Sequence, residues 1–208
     1  TPKPFNIINN KTLLEHSINA FKNFTEIKKT IIVYNKKHKK YLKRLNLKNI
    51  ILVTGGKTRQ QSTFNALKKL KKTNCKKVMI HDVARPNPTK KIISKIINKI
   101  KSNHAVVPII KVNDAVKRAE KNIIFKNIQR DSLVFSQTPQ GFTFSELYKK
   151  HNENIKESFS DDSALFVSYG EKVLTINGNK TNLKITDKED LDIFKSLKRG
   201  ETYTGIGF

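Results

Sequence analysis

The sequence predicts an α/β domain: a doubly wound, mostly parallel sheet with a β-hairpin arm projecting from it. Three observations carry this. Short apolar runs of strand length alternate with amphipathic stretches of helix length along most of the chain. Capping residues stand at the start of several helical stretches. Residues 111–132 break the alternation with two runs around Lys121-Asn122, which reads as a hairpin.

The elements follow in order. Thr12 with Glu15 forms a capping box, and Leu14, Ile18 and Phe21 make one apolar face after it. Residues 31–34 and 50–53 read as short buried strands. Thr58 with Gln61 opens a second helix, with Phe64, Leu67 and Leu70 inward. Residues 77–81 form a strand. Thr89 caps a helix whose Ile92, Ile93, Ile96, Ile97 and Ile100 make a broad buried stripe. Another strand covers 105–109. After the arm, residues 136–140 bring the chain back. Helices follow near 143–152 and 161–169, and 172–176 is a strand. Thr186 with Glu189 caps a last helix through Leu197.

The 208 residues suffice for one domain with a proper core. No apolar run approaches a membrane span, and residues 1–20 lack the basic start and apolar block of a signal peptide. Cys75 is the single cysteine, so no intrachain disulfide forms, which suits a reducing cytoplasm. The formal net charge is +25, from 42 basic and 17 acidic residues. A basic nucleic-acid-binding module is one reading of that excess. Only Arg44, Arg59, Arg85, Arg118, Arg130 and Arg199 are arginines. The lysines fall on polar helix faces along the whole chain, with no aromatic-interleaved stripe. A lysine-rich version of an ordinary enzyme is the better reading, so neither nucleic acid nor a membrane is expected as a partner. The charge favours anionic small substrates by long-range attraction.

Two stretches carry chemistry. An apolar strand runs into His81-Asp82-Val83-Ala84-Arg85-Pro86, and Gly55-Gly56 precedes the second helix. Open α/β sheets present anionic ligands at the carboxyl ends of their strands. A carboxylate such as Asp82 there suits a divalent cation. A turn-capping aspartate and an Asp82–Arg85 ion pair are the competing structural readings. Gly55 and Gly56 let backbone approach a ligand closely, or make a plain turn. Arg59 reads as structural, and His81 as a packed strand histidine.

With these residues on the page, the chain resembles the 2-C-methyl-D-erythritol 4-phosphate cytidylyltransferases, Rossmann-like nucleotidyltransferases of the non-mevalonate isoprenoid pathway. The likeness runs over 1–198. Pro2-Lys3 with Leu14-Glu15-His16-Ser17, Gly55-Gly56 with Arg59 and Ser62, and His81-Asp82 through Arg85-Pro86 follow in the family's order. So do Asp114 with Lys117-Arg118, Arg130, Thr138-Pro139-Gln140, Ser160-Asp161-Asp162 and Asn182 through Thr186.

The resemblance implies transfer of a cytidylyl group from CTP to methylerythritol phosphate, with release of pyrophosphate. It assigns Lys3, Lys184 and Arg130 to catalysis. It places Gly55, Gly56, Ser62, Asp82, Val83 and Arg85 around CTP. Asp114, Ala115, Arg130, Thr138, Ser160 and Lys184 would meet the substrate phosphate. Asp82 would hold Mg²⁺ or another divalent cation. The arm at 111–132 would cross a homodimer, so that Arg130 serves the neighbouring site. A cytidylyltransferase for another polyol phosphate, such as ribitol 5-phosphate, is the nearest rival.

Two departures bear on that expectation. Ala115 stands where the family usually has a hydroxyl residue, so one hydrogen bond of about 1 kcal/mol is missing. The family's first strand and glycine-rich loop are expected ahead of Thr1, so residues 1–208 alone are expected to lack a central strand and useful turnover. Residues 199–208 resemble the opening strand of a fused 2-C-methyl-D-erythritol 2,4-cyclodiphosphate synthase, a multifunctional arrangement with a lyase as its second part.

Overall fold

The computed structural model describes residues 1–100, 105–154, 157 and 159–199. The expected second-domain start at 199–208 lies, Arg199 apart, outside them. The chain begins with a small hairpin, β1 (Ile7–Ile8) and β2 (Lys11–Thr12), turned by Asn9 and Asn10 at φ 46° and 60°. Asparagine tolerates that left-handed backbone better than most residues. The Thr12–Glu15 capping box is formed and starts α1 (Leu13–Phe21).

β3 (Thr30–Tyr34), the short α2 (Lys39–Leu42) and β4 (Ile50–Thr54) follow, and β3 and β4 pair in parallel. Then come α3 (Arg59–Leu70), β5 (Lys77–Ile80), α4 (Lys90–Lys99) and β6 (Ala105–Lys111). The arm is β7 (Val116–Glu120) with β8 (Ile123–Ile128). Lys121 and Asn122 turn it at φ 48° and 68°, the sign that two-residue hairpin turns require. β9 (Val134–Ser136), β10 (Gln140–Thr143), α5 (Phe144–Glu153), α6 (Asp162–Ser168), β11 (Val173–Asn177) and α7 (Lys188–Arg199) complete the order.

Strands β11, β6, β10 and β5 lie side by side in that order, and β9 continues along the edge of β6. β11 runs parallel to β6, whereas β10 runs antiparallel to both of its neighbours. β5 and β6 therefore point the same way, with one reversed strand between them. Successive residues of a strand face opposite sides. Val78 and Ala105 pack with Phe64, Leu67, Phe142, Leu147 and Phe166, while Met79 and Val106 pack with Ile92, Ile96 and Ile100. Two apolar cores thus cover the two faces, as a doubly wound sheet requires.

Two expectations are corrected, those for residues 136–140 and for the cap of the last helix. β3–β4 forms its own two-stranded sheet. Between β3 and β5 lies a cavity of about 1180 Å³, lined by both strands and by Phe5, Leu14, Phe21 and Leu67. Residues 136–140 are more than a return, because they join β9 to β10. The last helix is capped by Asp187 rather than Thr186. The Asp187 carboxylate accepts from Asp190 N at 2.9 Å, and Asp190 reaches back to Thr186 N at 2.7 Å.

Gly141 allows α4 to sit against β10. A Cβ built there would lie 2.3 Å from Ile96 Cγ2 and 2.8 Å from Ile100. Overpacking of this kind costs about 1–3 kcal/mol. Gly141→Ala is therefore expected to lower the urea midpoint by a corresponding amount. An unchanged midpoint would show that α4 moves away freely.

Candidate active site

Asp82 stands just past the end of β5, and its place is set from both sides. Its backbone N–H donates to Thr138 Oγ1 at 3.0 Å, and its carbonyl accepts from Arg85 N at 2.9 Å. Lys184 Nζ lies 3.2 Å from Asp82 Oδ2, and Arg59 Nε lies 4.0 Å from Oδ1. The carboxylate therefore has a cation on each oxygen, and both cations reach it from elsewhere in the chain.

Lys184 arrives because its loop is stitched to the turn after Asp82. Ile185 N donates to Ala84 O at 2.8 Å, and Ile185 itself is buried against Leu13 and Phe194. Arg85 adds the second stitch. Its Nη1 donates to Asn182 O at 2.8 Å and its Nη2 to Ser136 O at 3.3 Å. Burial pushes the Arg85 guanidinium below its ordinary range, against the pull of Asp82. In this structure Arg85 ties main-chain carbonyls together and makes no ion pair with Asp82, which corrects the ion-pair reading.

The loop after β9 is held in the same way. Gln137 Nε2 donates to Asn179 O at 2.9 Å, and Gln137 Oε1 accepts from Asn179 N at 3.1 Å. Fully buried Asn182 donates to Thr138 O at 2.9 Å. Asp161 caps α6 and accepts from Ser136, Gln140 and Ser163. Burial alone would raise its pKa, but these hydrogen bonds hold it below the usual carboxylate range.

The glycine pair lies at the start of α3, one helical turn before Ser62. Gly56 N donates to Ser62 Oγ at 3.0 Å, and Ser62 Oγ donates to Thr58 O at 2.8 Å. A Cβ on Gly56 would come within 2.4 Å of Gln61 Cβ. The glycine is thus needed for its close approach to α3 itself, and the Ser62 hydroxyl is engaged within the turn. Val83 packs into the Phe5, Leu14, Ile32 and Leu42 cluster, and its carbonyl accepts from Ser17 at 3.2 Å.

Lys3 is exposed and donates to Thr186 O, two residues from Lys184. Thr138 is buried beneath Asp82 and supports its backbone. Ser160 is exposed beside Asp161. Arg130 bonds the carbonyl of Asn113, next to exposed Asp114 and Ala115, so those three form a separate group at the base of the arm. No hydrogen bond or ion pair among the described residues joins that group to Asp82 within one chain.

Arg59, quoted in the glycine-pair motif and read from the sequence as structural, approaches the carboxylate at the strand end as well. It touches Asp82 and donates to Asp162 Oδ2 at 2.7 Å. The available signal was an arginine at the first turn of a helix in a chain that otherwise uses lysine. No three His, Cys, Asp or Glu side chains converge as a ready-made metal site among the described residues. Mg²⁺ usually takes one or two carboxylates and completes its shell with water and substrate phosphates. Asp82 fits such a partial donor.

A strand-terminal carboxylate flanked by cations, beside a glycine turn that opens a helix, is the kind of site at which an α/β domain receives an anionic ligand. Residues 1–197 match the family profile of 2-C-methyl-D-erythritol 4-phosphate cytidylyltransferase, IspD. The chain belongs to that family. It is 44% identical over 208 residues to the bifunctional enzyme IspD/IspF of Pelagibacter ubique, covering all of this chain and 54% of that protein. It thus spans about half the length of that relative. It is 41% identical to the 2-C-methyl-D-erythritol 4-phosphate cytidylyltransferase of Thermosipho melanesiensis, covering 91% of this chain and 86% of that one. The crystal structure of the Thermus thermophilus cytidylyltransferase superposes with a TM-score of 0.84 at 26% identity, covering 95% and 94% of the two chains.

His81 supplies a test of the site's packing. Its Nε2 lies 2.9 Å from Arg85 O, and its Nδ1 lies 3.2 Å from Thr138 Oγ1. A neutral ring that donates from Nε2 and accepts at Nδ1 fits both. Burial pushes its pKa from 6.5 down to about 4. The unfolded chain therefore takes up a proton that the folded chain refuses. Stability from the neutral ring is complete above about pH 6.5 and is lost as pH falls toward 4, by about 3 kcal/mol at most. Urea unfolding at pH 7.5 and pH 5, with imidazole proton NMR, checks this. Titration of His81 near 6.5 in the folded protein would refute it.

Proposed function

We propose that this chain transfers the cytidylyl group of CTP to 2-C-methyl-D-erythritol 4-phosphate, releasing pyrophosphate. The single observation that supports it most is the Asp82 carboxylate set between Lys184 and Arg59 at the end of β5. A phosphate oxygen of the substrate attacks the α-phosphorus of CTP in line. The new P–O bond forms as the bond to the β-phosphate bridging oxygen breaks, and pyrophosphate leaves. Both reactants are anions, so positioning and charge compensation dominate the catalysis.

Within that reading each residue has a task. Lys184 and Lys3 offer compact ammonium groups to phosphate oxygens at the rim of one loop. Asp82 would hold Mg²⁺, which would supply positive charge to offset that of the two phosphate-bearing reactants. Thr138, Arg85 and Gln137 keep the walls of the pocket in register. The rival acceptor ribitol 5-phosphate has no observation in its favour.

The arm supports a homodimer reading. Ile123, Ile124 and Phe125 are each more than half exposed, and Phe135 near its base is as well. Several large apolar side chains exposed together on one projecting arm are what an interface would cover. A second copy seated on it would bring Arg130, Asp114 and Ala115 to the neighbour's Asp82. A cytoplasmic location agrees with the single half-buried cysteine, and no helix among the described residues is long and apolar enough to cross a membrane.

In the full-length protein, Asp82→Asn and Lys184→Met are expected to lower the rate of pyrophosphate release by about 100-fold or more. Faster turnover with ribitol 5-phosphate than with methylerythritol phosphate would overturn the substrate. Phe125→Asp is expected to shift sedimentation from dimer to monomer. Mixing Asp82→Asn with Arg130→Ala protein is expected to restore part of the activity, because one site of each mixed dimer regains both groups. Absence of any restoration in a confirmed mixed dimer would place Arg130 in its own subunit's site.

A further inference from the structure

The two cations at Asp82 differ in how they are held. Lys184 has a side chain 49% exposed and reaches Asp82 Oδ2 from a loop. Arg59 is anchored from below. Its Nη2 donates to Asp162 Oδ2, and the Asp162 side chain is only 1% exposed. The other Asp162 oxygen accepts from His151 Nε2 at 2.9 Å, and His151 is equally enclosed. The His151 ring stacks on Phe64, with planes 5° apart, inside the main core. A continuous line of polar contacts therefore runs from that core to the carboxylate at the sheet end.

We propose that Arg59, anchored by Asp162 and His151, is a positioning residue that holds Asp82 in place while Lys184 leaves it for a substrate phosphate. The inference rests on the cytidylyltransferase reading above. Lys184 faces a carboxylate in this structure, yet the reaction asks it to face a phosphate. When it turns, Asp82 loses one of its two cations. The remaining contact must then keep the carboxylate from swinging. A guanidinium suits this because its planar fork meets two carboxylates at once, one with Nη2 and one along its Nε edge. An ammonium is a point charge and cannot span both at these separations. This gives a physical reason for an arginine at position 59 in a chain with only six.

The test uses the full-length protein with Arg59→Lys and Asp162→Asn. Both variants are expected to lower kcat about 10- to 100-fold, while KM for methylerythritol phosphate stays within about threefold. Mn²⁺ binding in the presence of an unreactive CTP analogue, read by electron paramagnetic resonance, is expected to weaken severalfold. Excess Mg²⁺ is expected to recover part of the lost rate. Wild-type kcat in both variants would overturn the proposal. So would an equal fractional loss at every Mg²⁺ concentration with unchanged Mn²⁺ binding, or failure of both variants to fold, since either assigns the pair to stability alone. If the unsubstituted protein releases no pyrophosphate from CTP, the activity reading fails, and the positioning role falls with it.

Discussion

The site exists because two segments about a hundred residues apart in sequence are tied together through main-chain carbonyls. The turn after β5 carries Asp82, and the loop before α7 carries Lys184. Ile185 N bonds Ala84 O, and Arg85 bridges the carbonyls of Asn182 and Ser136. Buried carbonyls need donors, and a buried guanidinium needs acceptors. The two Nη groups of Arg85 and those carbonyls satisfy one another, while its buried Nε is left without a partner. The carboxylate–ammonium contact at 3.2 Å follows from that tie, which sets the two charges side by side. A surface ion pair alone is worth about 1 kcal/mol or less and would not fold a loop into place.

Charge is divided between the two basic residue types in a way that follows from their shapes. Arg59 bonds a buried carboxylate, Arg85 bonds two carbonyls, and Arg130 bonds the carbonyl of Asn113. Arg59 and Arg85 act within the protein, where a rigid fork can satisfy several acceptors. The lysines supply the +25 net charge, mostly from exposed helix faces. At the site, the groups left facing solvent are the ammonium ends of Lys3 and Lys184. A flexible, strongly hydrated cation exchanges partners readily, which a guanidinium wedged between carboxylates does not.

Much of this is legible in the sequence, and the reason differs by residue. The strands at β3 to β6 and at β11 show as apolar runs, and α1, α3 and α4 carry Thr caps whose hydroxyls do accept from the third helical residue. The arm shows through Lys121-Asn122, which adopts the left-handed pair its turn demands. β10 does not show. Gln140-Gly141-Phe142-Thr143 has a polar start and a glycine, and its strand conformation comes from pairing with β5 and β6 on both sides. The role of Arg85 is equally hidden, because a bond from side chain to a distant carbonyl leaves no trace in residue type. Arg59 reads as structural, which its bond to Asp162 supports, but its approach to Asp82 depends on where α3 meets β5. The cap of the last helix falls one residue beyond Thr186 because Asp187 offers the same chemistry and its carboxylate reaches Asp190 N.

The split sheet and the site share a wall, and this couples them. Tyr34, Arg59, Ser62, Asp82 and Val83 line the same cavity as the facing edges of β3 and β5. Strand edges carry unpaired backbone groups that favour a partner strand. Among the described residues β5 is paired only with β10, so its other edge is open along the residues that lead directly to Asp82. The polar ties around Asp82, Thr138 and Arg85 hold the end of β5 from the opposite side.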